Sequence, residues 1–265
     1  MSRVLITGSS DGLGLMAAKE LARNGHEAVL HARNERRAAD ARAALPGAAV
    51  VIGDLSSLEG MHQVATQANA LGKLDGVIHN AALGYREPRR VVTADGLSQV
   101  FAVNVLASYV LSSSIEMPRR LVYLSSGLHR SGQAALDDLQ WERRTWNGLQ
   151  AYSDSKLFDA VLSSAIARLR PDVLSNALEP GWVATKMGGP SAPDDLTLGA
   201  QTQVWLVSSE DAEAKVSGRY FYHQRPQQTH PAVNDHAVQD GLLAICARLS
   251  GVELPTDRKT RWTSA

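Results

Sequence analysis

Tyr152 and Lys156 stand four positions apart in the stretch Tyr152-Ser153-Asp154-Ser155-Lys156. On a helix, residues at i and i+4 share one face, one turn apart. A phenol beside an ammonium is an acid-base device: the cation stabilises the phenolate and draws the tyrosine pKa towards working pH. The spacing alone is common on solvated helix faces. What the pair can do depends on the elements that bring other groups to it.

The first such element is at the N-terminus. Val4-Leu5-Ile6 reads as a short buried strand, closed by Thr7 and followed by Gly8-Ser9-Ser10-Asp11-Gly12-Leu13-Gly14. A helix follows from about Gly12 to Asn24, with Leu13, Met16, Ala17 and Leu21 at helical spacing and Gly25 at its end. Glycines on a strand-to-helix turn let the backbone approach a pyrophosphate, and the helix N-terminus offers it free N–H groups. Glu27 to His31 forms the second strand. A dinucleotide fold selective for NAD keeps an acid about 20 residues past the glycines, whereas an Arg there suits the 2′-phosphate of NADP. The chain has Arg33 at that point, with Arg36 and Arg37 just beyond. NADP is therefore expected over NAD, although Asp11, an acid inside the turn, gives no help to an extra phosphate.

Strand and helix keep alternating. Ala49 to Ile52 is a third strand, leaving through Gly53-Asp54-Leu55. There Asp54 either meets an adenine amino group or, as Ser56 could, caps a helix running to about Leu71. Leu74 to His79 is a fourth strand, ending in Asn80-Ala81-Ala82, small enough to pack closely under a ligand. A long helix from about Asp95 to Ser114 carries Asn104 in an apolar stripe, as a core residue or at a kink. The fifth strand, Leu121 to Leu124, ends in Ser125-Ser126-Gly127, where a substrate-orienting hydroxyl belongs. The segment from there to Tyr152, with Trp141 and Trp146, is expected to form a loop over the site. The Tyr-Lys helix spans about Gln150 to Leu169. A sixth strand, Val173 to Leu178, leads into Glu179-Pro180-Gly181-Trp182-Val183-Ala184-Thr185 and a Gly/Pro-rich loop. A helix from about Leu196 to Ser208, a strand from Arg219 to Tyr222 and a helix from Asp235 to Leu249 complete the chain, with a tail from about Pro255 expected to be loose.

This order implies one domain over residues 1–265: an α/β, doubly wound Rossmann fold with a seven-stranded, mostly parallel sheet and helices on both faces. Ligands of such sheets bind at the carboxyl ends of the strands. Lys+Arg and Asp+Glu balance at 27 each, so no net charge favours nucleic acid. The single Cys246 excludes an intrachain disulfide and suits a reducing compartment. No apolar run reaches spanning length, the N-terminus lacks a signal-peptide core, and a cytoplasmic protein is expected.

Six motifs in order resemble the short-chain dehydrogenase/reductase family, in its single-domain branch. They are Thr7-Gly8-Ser9-Ser10-Asp11-Gly12-Leu13-Gly14, His79-Asn80-Ala81-Ala82, Asn104, Ser126, Tyr152 to Lys156, and Pro180-Gly181 with Thr185. His79 and Ala82 depart from the family's Asn and Gly. The long interval before Tyr152, Leu128-His129-Arg130 and Arg33 look like retinol-dehydrogenase-like and carbonyl-reductase-like members.

The resemblance implies that Tyr152 exchanges a proton with a carbonyl or alcohol, Lys156 lowers its pKa and holds the cofactor ribose, Ser126 orients the substrate oxygen, and Asn104 supports a water relay. It prefers Ser126 to Ser125. The cofactor would be held by Gly8, Ser10, Asp11, Gly12, Leu13, Gly14, Arg33, Asp54, Leu55, Asn80, Ala81, Ala82, Tyr152, Lys156, Pro180, Gly181, Val183 and Thr185, with no metal. Tyr85, Leu128, Trp146, Trp182 and Met187 would line a pocket for a small apolar ketone, aldehyde or alcohol, or serve as packing. The competing expectation is a non-catalytic NADP-binding sensor or scaffold of the same fold. In the family the helices carrying Asn104 and Tyr152 often pair with their copies, so a homodimer or homotetramer is one expectation, with Leu106, Val110, Leu157 and Val161 either serving it or simply facing the sheet. A monomer is the alternative.

Overall fold

A computed structural model describes residues 1–116 and 118–256. The sheet has the order β3-β2-β1-β4-β5-β6-β7-β8. Its strands are β1 (Arg3–Ile6), β2 (Glu27–Ala32), β3 (Ala49–Ile52), β4 (Gly76–His79), β5 (Arg120–Leu124), β6 (Leu174–Glu179), β7 (Tyr220–Tyr222) and β8 (Arg225–Pro226). All neighbours pair in parallel except β7 and β8. The expected seven strands are thus eight. The extra one is a two-residue antiparallel return, too short to leave a period-2 pattern in the sequence.

The helices are α1 (Gly12–Arg23), α2 (Glu35–Ala44), α3 (Leu58–Ala70), α4 (Gln99–Phe101), α5 (Ala107–Ser114), α6 (Gly148–Leu169), α7 (Leu196–Ser208) and α8 (His236–Ser250). Alternate side chains of one strand enter two different cores. Val4 and Ile6 pack with α1 and α7 residues such as Ala17, Leu21 and Val204, while Leu5 packs with Met61, Tyr109 and Leu162 on the other face. Both faces of the sheet are therefore covered, which is why its strands read as apolar runs rather than alternations.

Side chains fix where the helices begin. Asn34, Ser57, Asn147, Asp195 and Asp235 each accept a backbone N–H at the start of α2, α3, α6, α7 and α8. Ser57 caps α3, so the expected cap at Asp54 or Ser56 is corrected; Asp54 instead accepts the amide of Ser56 at 2.9 Å. The helix expected from Asp95 begins at Gln99, and residues Ala102–Leu106 between α4 and α5 are π-helical. Asn104 lies inside that bulge, which is the distortion its place in an apolar stripe suggested.

The loop between β5 and α6 is ordered by two short 3-10 turns, Gly127–Ser131 and Leu136–Asp138, and by Arg144. The Arg144 guanidinium reaches Asp138 at 3.3 Å and Asp154 of α6 at 3.1 Å, and lies 3.8 Å from the centroid of the Trp141 ring. Trp141 adopts φ +55°, a strained conformation for a bulky residue that these contacts hold in place. Of the tail expected to be loose, residues 257–265 lie outside the described residues. Val252, Leu254 and Pro255 pack back: Tyr109 Oη donates to the Val252 carbonyl at 2.8 Å, Arg170 to that of Pro255 at 3.0 Å, and Leu254 is buried.

Candidate active site

The glycine turn after β1 is built for close approach. Gly8 and Gly12 adopt φ +62° and +55°, conformations that favour glycine. A Cβ on Gly14 would stand 2.6 Å from Asn80 Nδ2 and 2.8 Å from the Gly8 carbonyl oxygen. Asn80 ties β4 to the turn, donating from Nδ2 to the carbonyls of Thr7 (2.8 Å) and Gly8 (3.2 Å). The Thr7 hydroxyl accepts the amides of Asn80 and Ala81, both at 2.9 Å. His31, which the sequence showed only as the end of β2, locks the same turn. Its Nδ1 accepts the Gly8 amide at 2.9 Å and its Nε2 donates to the Gly53 carbonyl at 2.9 Å. Burial lowers its pKa, so the neutral ring serves as acceptor on one side and donor on the other.

Asp11 makes no cap on α1. Its carboxylate binds Arg37 of α2 at 2.5 Å and Lys186 at 2.6 Å. Burial alone would raise its pKa, but these two cations hold it below the usual carboxylate range. The first amides of α1 are thereby left without a side-chain acceptor, and the acid in the turn is neutralised by Arg37 and Lys186. Arg33 is exposed at the end of β2, and among the described residues it has no hydrogen-bond or ion-pair partner. A cradle that a Cβ would fill and an uncapped helix N-terminus fit a dinucleotide, and the Arg33 guanidinium stands free beyond β2. Of the other residues expected at the cofactor, Leu55 is buried in the core and Asp54 is exposed. Ser10 on the turn and Leu13 in the first turn of α1 are half-buried, and Ala82 follows Ala81 out of β4.

The reacting side faces this turn across the ends of β4 to β6. Tyr152 is buried on α6, and Lys156 Nζ lies 5.8 Å from the centroid of its ring. Burial raises the Tyr152 pKa, while the Lys156 charge and a hydrogen bond with Ser126 pull it down. The two serines after β5 separate by role: Ser125 Oγ donates to the Lys156 carbonyl at 2.7 Å, whereas Ser126 keeps its hydroxyl beside Tyr152. The Ser126 carbonyl is pinned by the His129 amide (2.9 Å), His129 Nδ1 (2.7 Å) and the Tyr220 hydroxyl (3.0 Å). Burial holds His129 down to about 4, so the ring is neutral at ordinary pH. The sequence offered His129 only within Leu128-His129-Arg130 and did not single out Tyr220, because what both hold is a backbone carbonyl.

Asn104 braces the opposite wall: Oδ1 accepts the Leu83 amide at 2.7 Å, and Nδ2 donates to the Leu83 carbonyl (3.1 Å) and Ser155 Oγ (2.9 Å). Tyr85 sets its ring edge-on to Tyr152 with centroids 5.8 Å apart. Met187 lies against Gly84, where a Cβ would come within 2.8 Å of its Cγ. Leu128 is half-buried one residue past Gly127, and Trp182 is 51% exposed with Nε1 on the Gly188 carbonyl. Trp146 packs edge-on against Trp141 and donates to the Glu87 carbonyl at 3.0 Å, so its ring serves the loop rather than an open wall. After β6, Pro180 leads to Gly181 (φ +87°), where a Cβ would meet the Asp194 carboxylate, and Val183 is buried. The Thr185 hydroxyl accepts the Gly188 amide at 3.2 Å.

Comparison with known proteins agrees with this arrangement. The profile of the short chain dehydrogenase family matches residues 2–134. An oxidoreductase of Emericella nidulans is 42% identical over 96% of this chain and 99% of its own length. A short-chain dehydrogenase of Penicillium rubens is 36% identical over 96% and 100%. Human retinol dehydrogenase 13 is 30% identical over 97% of this chain and 86% of its own. Among solved structures, a protein from Mycobacterium paratuberculosis superposes with TM-score 0.82 at 24% identity, covering 96% and 95% of the two chains. A blue fluorescent protein from a metagenomic library, in complex with NADPH, gives 0.68 at 20% identity, covering 83% and 95%. A glycine turn facing a buried Tyr-Lys pair, on a chain with these relatives, makes this protein an oxidoreductase of the short-chain dehydrogenase/reductase family, among its retinol-dehydrogenase-like members.

Proposed function

We propose that the protein is an NADP-dependent reductase of small apolar carbonyl compounds, running in reverse on the alcohols. The observation that carries this is the convergence of the Lys156 ammonium and the Ser126 hydroxyl on one buried phenol, at the strand ends that the glycine turn faces. The nicotinamide, when bound, supplies or accepts a hydride. The chain's own residues do the rest. Ser126 donates a hydrogen bond to the substrate oxygen and orients it. Tyr152 Oη holds the proton that this oxygen gains on reduction, and Lys156 stabilises the phenolate left behind. Gly8 to Gly14, Asn80 and the segment Pro180 to Thr185 form the dinucleotide cleft, with Lys156 at its ribose. Tyr85, Leu128, Trp182 and Met187 would line the substrate side, and their apolar character suits a ketone or aldehyde without charge. The human relative named for retinol, an apolar alcohol, supports the same class. Oxidation of NADPH by a panel of aldehydes and ketones tests this reading; tight NADPH binding with no turnover on any of them would overturn it in favour of a sensor.

Arg33 is proposed to take the 2′-phosphate. Arg33→Ala is expected to weaken NADPH about tenfold or more, the loss of a charge-assisted phosphate contact, while leaving NADH affinity unchanged. Fluorescence titration with both cofactors checks it, and equal loss for the two would reject the assignment.

A single subunit is proposed as the working form. Leu106, Val110, Leu157 and Val161 are all fully buried within one chain. α8 lies across α5 and α6, with Leu242 and Cys246 fully buried in their core, Gln239 Nε2 donating to Ser164 Oγ at 3.1 Å and Arg168 Nε to Gln239 Oε1 at 2.7 Å. This packing of the last helix on α5 and α6 supports a single subunit. Light scattering is expected to give the mass of one chain; a dimer mass would refute this.

A further inference from the structure

Asp159 is a buried acid for which neither the motifs nor the fold provide a role. It lies one turn beyond Lys156 on α6 and is 2% exposed. Its Oδ2 accepts from Lys156 Nζ at 2.7 Å, and the same ammonium donates to the Leu124 carbonyl at 2.7 Å. Lys156 is itself 3% exposed, so water does little to screen the pair. Two of the three ammonium protons are therefore directed away from Tyr152, onto β5 and onto Asp159. Titratable groups face Asp159 from two elements: Lys156 and Tyr152 from α6, and Tyr123 from β5. Behind Tyr123, its hydroxyl meets Ser112 of α5 at 2.7 Å, and Ser112 meets His79 Nε2 at 2.9 Å. Burial holds that histidine down to about 3, so no second cation stands behind the pair.

We propose that Asp159 is a positioning residue that tethers the Lys156 ammonium and offsets its charge, so that Tyr152 stays a proton donor suited to carbonyl reduction. The inference rests on the acid-base role proposed above for Tyr152. An ammonium alone in this buried site would act on the phenol with its full charge. With a carboxylate 2.7 Å from Nζ, Tyr152 feels something closer to a dipole, and the phenolate loses much of its stabilisation. The direction agrees: Asp159 works against Lys156 on Tyr152 and raises its pKa. Burial pushes the carboxyl of Asp159 itself up to about 6, with the Lys156 charge opposing the rise. Above that pH the carboxylate is formed and the offset is present. Below it the acid takes a proton and the ammonium acts undiminished.

The test is a near-ultraviolet titration of the Tyr152 phenolate in the full chain, taken as the difference from Tyr152→Phe, for the wild type, Asp159→Asn and Asp159→Glu. Asp159→Asn is expected to move the Tyr152 titration about one pH unit towards acid. Asp159→Glu, which keeps the charge, is expected to stay near the wild type. Asp159→Ser gives the same acid shift should the amide not be accommodated. The alkaline limb of NADPH oxidation should move by the same amount and in the same direction. A merely structural ion pair predicts lower melting temperatures and an unmoved titration, and that result would overturn the proposal. A shifted titration in a protein with no turnover would instead refute the reductase reading and leave the Asp159–Lys156–Tyr152 coupling standing.

Discussion

Tyr152→Phe is expected to lower turnover about 10²–10⁴-fold, the range for removing a positioned general acid, while NADPH affinity stays nearly unchanged. The phenylalanine ring fills the same buried volume and keeps the edge contact with Tyr85, so the site should hold its shape. Only the hydroxyl is lost, and with it the proton that the product oxygen must receive. Ser126 cannot replace it, because an aliphatic hydroxyl is a far weaker acid than a phenol. Steady-state kinetics with NADPH and the best carbonyl of a panel, alongside a binding titration, provide the measurement. Turnover within a factor of a few of the wild type would sink the assignment of Tyr152. A melting temperature close to the wild type's would show that a loss comes from chemistry and not from unfolding.

The second large effect is expected at the glycine turn, where two neighbouring glycines should respond differently. At Gly14 a methyl group would meet Asn80 Nδ2 at 2.6 Å, the Gly8 carbonyl oxygen at 2.8 Å and Ser9 Cα at 3.0 Å. Two of those three are backbone atoms, and Asn80 is held by its own bonds to Thr7 and Gly8. α1 must therefore shift away from β1. Overpacking of this kind costs about 1–3 kcal/mol, or a fall in melting temperature of about 2–10 °C for a chain of this size. NADPH affinity should fall at least about tenfold, since the first amides of α1 move with the helix. At Gly12 nothing lies within 4 Å of a new Cβ, and the only penalty is its φ of +55°, about 1 kcal/mol. Gly14→Ala should thus melt clearly below Gly12→Ala. Equal melting temperatures, or the reverse order, would show that the turn is not packed as described.

Much of this architecture was legible in the chain. The strand-helix alternation survives in the residues because each parallel strand is buried on both faces and each helix presents an apolar side. The glycine turn and the Tyr152–Lys156 spacing are likewise local patterns. Arg33 in place of an acid could be seen at once, because the proposed preference for NADP depends on one residue type just past β2. The cap of α3 was misplaced by one residue or more because Asp54, Ser56 and Ser57 are all good N-cap residues, and the choice depends on where β3 releases the chain. The eighth strand escaped notice because two residues carry no period.

The sequence by itself determined the alternation of strands and helices, the family and the residues proposed to bear the chemistry, since these reside in short-range spacing and residue type. The tertiary structure alone decided the long-range pairings. His31 became the brace of the glycine turn only when β2 lay beside β1, bringing its ring to the Gly8 amide. Asp11 ceased to be an obstacle to a phosphate only when Arg37 and Lys186 reached it from α2 and the segment after β6. α8 packed on α5 and α6, placing Leu242 and Cys246 in the same core as Leu106, Val110, Leu157 and Val161. The i+3 step from Lys156 to Asp159 is visible in the sequence, but the cost of leaving either charge unpaired is not. That cost arises when α6 is packed against the sheet and water is excluded, so that the two groups must answer to each other and to Tyr152.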